Sequence, residues 1–312
     1  MFKFKKEYSF MKHRKIFYLV SILIIVIGIG GGLIQEFNYG IDFTGGTMIQ
    51  VDMKKQVSTE AVQKVAQGIG INVDIVYSGE GNKEIIMRTT QSLTSADRNK
   101  LIAALGPDFG VTSADVLAAE QFGPSVGALL KQNAVRAVII AIICMLVYIA
   151  IRFEWKFGIA AILALAHDIA ILVGFYGLFQ IPINTPFIAS VLVILGYSIN
   201  DTIVIFDRIR ENLKFMKRSK LDELIDKSIN QSLVRSIATS FATVLSIVAL
   251  YLLGSETIKQ FTLPLIVGIS VGTLSSILVA SPIWYEINLL AEKPKYGTDK
   301  PKSKGKSRQI RA

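Results

Sequence analysis

Residues 191–206 read VLVILGYSINDTIVIF, an apolar stretch of membrane-span length that contains a single carboxylate, Asp201. Inside a membrane helix such a charge costs at least about 2.5–3.5 kcal/mol, so it persists where ion handling or tight pairing needs it. Residues 207–212, DRIREN, follow at once and are typical of the basic flank that membrane helices carry on their cytoplasmic side. We therefore predict that Asp201 is a functional residue near the inner edge of a membrane helix.

The apolar residues, 51% of the 312-residue chain, are concentrated in blocks long enough to cross about 30 Å of hydrocarbon. They predict an α-helical membrane protein with six transmembrane helices, at residues 16–34, 134–151, 157–179, 186–206, 237–253 and 263–284. The net charge of +10 does not indicate nucleic-acid binding, because the basic residues lie beside these blocks. Cys144 is the only cysteine, which excludes an intrachain disulfide and a cysteine-cluster metal site.

The loops between the blocks differ in Lys and Arg content, and this difference predicts the orientation of the chain. Basic residues crowd the N-terminus, residues 152–156, residues 208–235 and the tail from residue 293, whereas residues 180–185 hold none. By the positive-inside rule the basic segments and both termini are cytoplasmic. We predict four parts: residues 1–37 (N-terminus and an uncleaved first span), 38–128 (extracytoplasmic), 129–291 (five-helix membrane bundle) and 292–312 (basic, disordered). The tail is a positive-inside flank or a contact for anionic lipid.

The extracytoplasmic segment, here called the outer domain, has the pattern of a small α+β unit. Alternating residues predict strands at 47–53, 73–77, 83–88 and 115–119, and helical spacing predicts helices at 58–67, capped by Ser58, and at 94–105. This βαββαβ order predicts a ferredoxin-like fold inserted between the first two membrane helices. The segment contains no His, no Cys and no carboxylate pair at a catalytic spacing. We therefore expect binding or movement here and no enzymatic activity.

A glycine-rich segment, residues 40–47 (GIDFTGGT), joins the first span to the outer domain. Gly45 and Gly46 permit positive φ or a close backbone approach. A phosphate-binding loop is disfavoured, because no Walker lysine follows and no helix start is expected there. We predict a tight structural joint formed by Gly40, Asp42, Gly45 and Gly46.

Several further polar residues interrupt the apolar blocks, and they could couple protonation to helix movement. The predicted proton-coupling residues are Asp201, Arg235, Asp168, Asn200, His167 and Thr239. Arg235, Thr239 and Thr243 are spaced four apart, so one face of the fifth span is polar and should avoid lipid. Asp201 and Arg235 are at comparable predicted depth and could pair.

A carboxyl group alone in apolar surroundings holds a proton, whereas one beside an arginine ionises, so opening and closing the pair would tie protonation to helix movement. The alternative is a permanent Asp201–Arg235 pair that only pins two helices. For His167, a proton relay and a packed, satisfied histidine both remain open.

Four segments together resemble one known family: residues 40–47, the His167-Asp168 pair, residues 196–212 (GYSINDTIVIFDRIREN) and residues 235–240 (RSIATS). They resemble the SecD/SecF family of protein-export membrane proteins, in its SecF branch, which belongs to the resistance-nodulation-division superfamily of proton-driven membrane machines. The resemblance implies a bacterial plasma-membrane protein without a cofactor, energised by the proton-motive force. It also implies roles in proton movement for Asp201 and Arg235.

The resemblance further implies a set of partners. These are SecD, the SecYEG channel, YajC as a candidate further member, SecA acting upstream, membrane lipid and the unfolded polypeptide in transit. The family's proton path also uses an aspartate on the SecD half, which this chain lacks, so alone it should be an incomplete motor. The alternative function is a passive scaffold that stabilises SecD and the channel without carrying protons. A small-molecule exporter is disfavoured, because the single outer insert is small.

Overall fold

The computed structural model describes residues 8–215 and 220–291, apart from the side chain of Glu80. The helices are α1 (Arg14–Ile34), α2 (Ile41–Thr44), α3 (Thr59–Gly68), α4 (Ser95–Phe109), α5 (Pro124–Arg152), α6 (Trp155–Leu178), α7 (Thr185–Asn212), α8 (Leu221–Leu253), α9 (Glu256–Ser275) and α10 (Ser281–Ala291). The strands are β1 (Gly46–Asp52), β2 (Asp74–Ser78), β3 (Glu84–Thr89) and β4 (Val116–Phe122). The predicted tail at residues 292–312 lies outside the described residues.

Six helical segments of the described chain are long and apolar enough to cross a membrane, which confirms the predicted fold class. Five are the helices α1, extended by a 3₁₀ turn at Met11–His13, and α5 to α8. The sixth, Glu256–Ala291, consists of α9, a π-helical turn at Ser276–Ala280, and α10. The most apolar windows of the sixth span, α7 and α6 are 61%, 50% and 44% buried, against 6% for α5 and 11% for α1 and α8, so these three spans form the centre of the bundle.

Several helices extend past the predicted spans, and α5 begins at Pro124, ten residues before the predicted second span. The predicted fourth span stops at residue 206, but α7 continues to Asn212, and the predicted fifth span begins at residue 237, but α8 begins at Leu221. Hydropathy marks the part of a helix that suits hydrocarbon, whereas the backbone stays helical as long as one face finds a core to pack on. Ile209 of α7 and Leu224 and Ile225 of α8 are fully buried in the same cluster and supply that core.

The first span packs against α6 along a seam of glycines. Gly28 lies against Gly174, and Gly32 lies against Gly177. A Cβ atom added to Gly28 would stand 2.8 Å from the Cα of Gly174, so no side chain fits between the two backbones. In a membrane, where van der Waals packing drives helix association, small residues allow this close approach. The glycine seam therefore fixes the rotation of α1 against the bundle.

The outer domain has the predicted βαββαβ order. Its four strands form one antiparallel sheet in the order β2-β3-β1-β4. The Ser58 side chain caps α3 by accepting from the backbone N–H of Ala61, and Thr94 forms a capping box with Asp97 at the start of α4. At the domain edge, Lys54 donates to Asp115 at 2.7 Å and lowers the pKa of that carboxyl to about 2.

The joint between span and outer domain is tight, but it contains a helical turn that the sequence did not indicate. Residues Ile41–Thr44 form α2, a single turn, where no helix start was expected. Gly45 and Gly46 both have positive φ, at 79° and 146°, which favours glycine at each. The Asp42 carboxylate accepts from the backbone N–H of Thr185 at 2.9 Å and so caps the start of α7. This hydrogen bond ties the joint to the start of α7.

Candidate functional site

Asp201 lies inside the bundle, and hydroxyl groups from two other helices reach toward it. Only 3% of its surface is exposed. The Ser240 hydroxyl of α8 donates to the carboxylate at 3.0 Å, and the Thr273 hydroxyl of α9 donates to Ser240 at 2.7 Å. A carboxylate in a dry interior is tolerated when such donors surround it. The hydrogen bonds of Asp201 therefore depend on the relative positions of α7, α8 and α9.

A second carboxylate, Asp168, is buried in the same bundle. It is 1% exposed and accepts from the Ser198 hydroxyl of α7 at 2.6 Å. Nδ1 of the neighbouring His167 lies 3.0 Å from its other oxygen, which places the ring proton on Nδ1 when the histidine is neutral. Within the described chain, Nε2 of His167 is buried without a hydrogen-bond partner. Asp168 is thus held between its own helix and α7.

Further hydroxyl groups of α7 and the sixth span lie next to the one that bonds Asp168. Ser198, which bonds Asp168, precedes Asp201 by one turn on α7. Thr202 donates to the backbone carbonyl of Ser198 at 3.2 Å, and its hydroxyl lies 2.8 Å from that of Ser276. Ser276 opens the π-helical turn of the sixth span, a feature that is frequent at functional sites. The two carboxylates therefore have separate sets of hydroxyl partners in the described residues, and both sets include or contact α7.

The buried polar face of α8 is not the predicted face that carries Arg235, Thr239 and Thr243. The buried residues are the serines spaced four apart, Ser228, Ser232, Ser236 and Ser240. Arg235 and Thr239 are exposed on this chain, and Thr243 is half-buried. The four-residue serine spacing was a usable signal, because small hydroxyl side chains at this spacing form a helix-packing face in membranes. The predicted stripe of Arg235, Thr239 and Thr243 is the more polar of the two faces, but it is not the buried one.

The predicted Asp201–Arg235 pair is not formed. No ion pair joins these two side chains in residues 8–215 and 220–291, and Asp201 bonds Ser240 instead. Ser240 lies five residues beyond Arg235, or about 7.5 Å along the axis of α8, so the two predicted partners are at different depths. Asn200 also points to the exposed face of this chain. The structure therefore brings Asp201, Asp168 and His167 into the interior and leaves Arg235, Thr239 and Asn200 outside it.

Six apolar helices, two buried carboxylates and one extramembrane α+β domain define an integral membrane protein with an intramembrane polar centre. The model described as "Protein export membrane protein SecD/SecF, C-terminal" matches residues 104–289, and the one described as "SecD/SecF GG Motif" matches residues 33–57. The chain belongs to the SecD/SecF family of protein-export membrane proteins. The recognised motifs at residues 40–47 and 196–212 fall inside these two matches.

Individual relatives align with this chain over nearly its whole length. The protein translocase subunit SecF of Sebaldella termitidis is 36% identical, with 93% of this chain and 94% of that protein aligned. The SecF of Magnetococcus marinus is 38% identical, with 89% and 91% aligned. The crystal structure of SecDF from Thermus thermophilus, called a translocon-associated membrane protein, superposes with a TM-score of 0.83 at 37% identity. It covers 93% of this chain, which spans 40% of that longer protein.

Proposed function

We propose that this chain is a SecF-type accessory subunit of a Sec protein translocase that uses the proton gradient to promote export of unfolded polypeptide. The observation that carries the proposal is the pair of buried carboxylates, Asp201 and Asp168, each bonded to a hydroxyl of a neighbouring helix. Ionisable residues in a membrane interior are costly and mark ion paths or proton relays. The SecF relatives, aligned over 93% of this chain in the case of Sebaldella termitidis, support polypeptide export as the process that this centre serves. The chain acts as a transport subunit and not as an enzyme.

The geometry links protonation to helix position. An ionised Asp201 holds the hydroxyl donors of α8 and, through them, of α9, whereas a neutral carboxylic acid holds them less strongly. Taking up or losing a proton therefore changes the balance between two arrangements of these helices. One charge crossing 100 mV is worth about 2.3 kcal/mol, comparable to the few kcal/mol that separate conformations. The gradient is thus sufficient to drive such a change without any cofactor.

The exposed polar residues explain why a partner is needed. Arg235 and Asn200 are exposed on this chain, where lipid would leave them unsatisfied, whereas the Thr239 hydroxyl beside them bonds the backbone of its own helix. A SecD-type subunit would cover these residues and add its own groups to the proton path. The complex would act at the SecYEG channel in the plasma membrane, after SecA, with YajC as a further member. Both termini of this chain would then be cytoplasmic.

A passive scaffold is the second candidate function, and one observation favours it. Both buried carboxylates accept from a hydroxyl of a neighbouring helix, at 2.6 Å for Asp168 and 3.0 Å for Asp201, as a permanent structural pin would. A scaffold predicts that changes at Asp201 act only through assembly with the partner subunit.

The proposed role is tested by export into inverted membrane vesicles. Vesicles with the SecD-type partner and SecYEG, with or without this chain, are compared with and without a proton gradient. We expect the chain to raise the gradient-stimulated part of polypeptide translocation and to leave the part driven by SecA and ATP almost unchanged. Equal stimulation by the gradient in both vesicle types would overturn the proposal.

Replacing Ser240 by alanine should weaken gradient-stimulated export without unfolding the protein. The change removes the hydroxyl that bonds the buried Asp201 carboxylate, at an expected cost of about 1–3 kcal/mol, whereas Thr273 can still donate to the Ile269 carbonyl of its own helix. Ser246→Ala is the matched control, because Ser246 is exposed on the same helix and bonds only its own backbone. Translocation rates with and without the gradient are the measurement. Equal stimulation in the two variants would show that the hydroxyl is not needed.

A further inference from the structure

The outer domain meets the membrane bundle at a second place, away from the covalent joint. The guanidinium of Arg88, on β3, contacts the side-chain amide of Gln260, on the first turns of α9, with Nη1 3.1 Å from the amide oxygen. We orient this oxygen toward Arg88 because a guanidinium only donates. In this orientation the Gln260 amide nitrogen faces Nδ2 of Asn184, the residue that caps α7, at 2.7 Å, so these two donors are in contact but not hydrogen bonded. We call the Arg88–Gln260 contact, with Asn184 beside it, the clasp.

Around the clasp, the sheet and the bundle are separated by open space. One cavity of about 440 Å³ and another of about 320 Å³ both include Arg88 and Gln260 in their walls, so the clasp stands between them. Protein interiors are normally packed without such voids, so this interface is a cleft and not a packed core. No ion pair involving Arg88 is present in the described parts of the chain, and Gln260 is its contact across the cleft. A single polar contact over a cleft can open without disturbing either hydrophobic core.

The joint, unlike the clasp, is held to the bundle by several contacts. Asp42 caps α7, the backbone N–H of Gly40 donates to the Ile183 carbonyl at 2.7 Å, and Gly127 of α5 packs on the backbone of Phe43. These bonds tie residues 40–44 to the bundle rather than to the sheet. Gly45, at positive φ, comes between them and β1, which begins at Gly46, also at positive φ. The return connection from β4 to α5 runs through Gly123 beside it, since Gly45 contacts Phe122 and Pro124. If the clasp opens, the sheet can turn about Gly45 and Gly46 together with the adjacent Gly123 while the joint stays in place.

The two helices that carry the clasp also hold Asp201. Gln260 and Thr273 are both on α9, thirteen residues apart, or about 20 Å along the helix. Asn184 caps α7, which carries Asp201 itself. α9 contains Pro264 between these two residues but stays helical through it, so movement at its outer end reaches the hydroxyl contacts of the carboxylate. A rigid element shared by two sites is the physical requirement for coupling between them.

We propose that the Arg88–Gln260 clasp couples the position of the outer domain to the helices around Asp201, docked when closed and released to turn about Gly45 and Gly46 when open. The inference rests on the proposed function, because the movement is useful only if the outer domain acts on a polypeptide. Its consequence is that export needs the clasp both to form and to break. A permanently closed and a permanently open clasp should both uncouple the gradient from export.

The closed state is tested with a reversible crosslink in the complete translocase complex. In a Cys144→Ala background, Arg88→Cys and Gln260→Cys are joined by a short bis-methanethiosulfonate reagent. A linker is used because an arginine and a glutamine that meet tip to tip hold their Cα atoms beyond the limit of about 7 Å for a disulfide. The control pair Gln50→Cys and Ala118→Cys, which face each other on β1 and β4, is crosslinked inside the outer domain. Crosslinking is confirmed by gel mobility before the export assay.

We expect the clasp crosslink to lower gradient-stimulated export at least about fivefold, the lower end of measured coupling between sites, and reduction to restore it. The control pair should export as before crosslinking. Export by the clasp-linked protein equal to that of the control pair overturns the proposal, as does absence of a clasp crosslink. The proposed function fails separately, if Asp201→Asn retains full gradient stimulation in the same assay.

The open state is tested by Arg88→Ala. We expect gradient-stimulated export to fall while the SecA-driven part stays unchanged, because the outer domain is no longer held by α9. The matched control is Arg98→Ala, since Arg98 lies in the same domain and its guanidinium bonds Ser95 on its own helix. Loss of export in both variants would indicate general damage to the domain and would contradict a specific role for the clasp.

Discussion

Replacing Asp201 by asparagine is expected to abolish the gradient-stimulated part of polypeptide export, while the protein stays folded and assembled. Asparagine keeps an oxygen that accepts from Ser240, so the packing of α7, α8 and α9 is preserved. It cannot take up or release a proton, so the link between protonation and helix position is lost. Translocation into inverted vesicles with and without the gradient measures the effect, and the amount of partner subunit recovered with the variant measures assembly.

The control for this prediction is Asp207→Asn, the same chemical change on the same helix. Asp207 is half-buried and pairs with Arg210 at 2.9 Å and Arg152 at 3.6 Å, contacts of the type worth about 0–1 kcal/mol when solvent reaches them. We expect near-normal gradient stimulation in this variant. Wild-type export by Asp201→Asn would remove the proton role. A loss of export accompanied by loss of the partner subunit would favour the scaffold.

Replacing Gly28 by valine is expected to detach the first span from the bundle. The new Cβ atom would stand 2.8 Å from the Cα of Gly174, closer than real contacts of this kind. Overpacking of a side chain typically costs about 1–3 kcal/mol, and here the obstacle is backbone that cannot rotate away. The expected result is a lower midpoint of thermal unfolding in detergent, followed as loss of the monodisperse peak in size-exclusion chromatography.

Gly30→Val provides the control for the glycine seam. A Cβ atom at Gly30 meets nothing within 4 Å, although the residue lies on the same helix two positions away. Both variants make the same change in helix propensity, so the difference between their midpoints reports the contact with α6 alone. Equal midpoints would show that the seam does not hold the first span.

The class of fold was predictable because its signals are local. Hydrophobic blocks, strand alternation and the caps at Ser58 and Thr94 each depend on a few neighbouring residues. The helices α7 and α8 run beyond the predicted spans, because their ends are set by Ile209 and Leu224 packing outside the apolar blocks. The single turn α2 was missed for a similar reason, since its position is held by bonds to residues 183 and 185.

The sequence by itself determined that the chain has six spans, a βαββαβ outer domain and costly carboxylates at Asp168 and Asp201. Only the tertiary structure decided their partners: Ser240 rather than Arg235 for Asp201, and Ser198 for Asp168. The physical reason is that a helical sequence states which residues share a face but not how the helix is rotated or shifted along its axis. Those two quantities are set by contacts between distant residues, such as the close approach of Gly28 to Gly174.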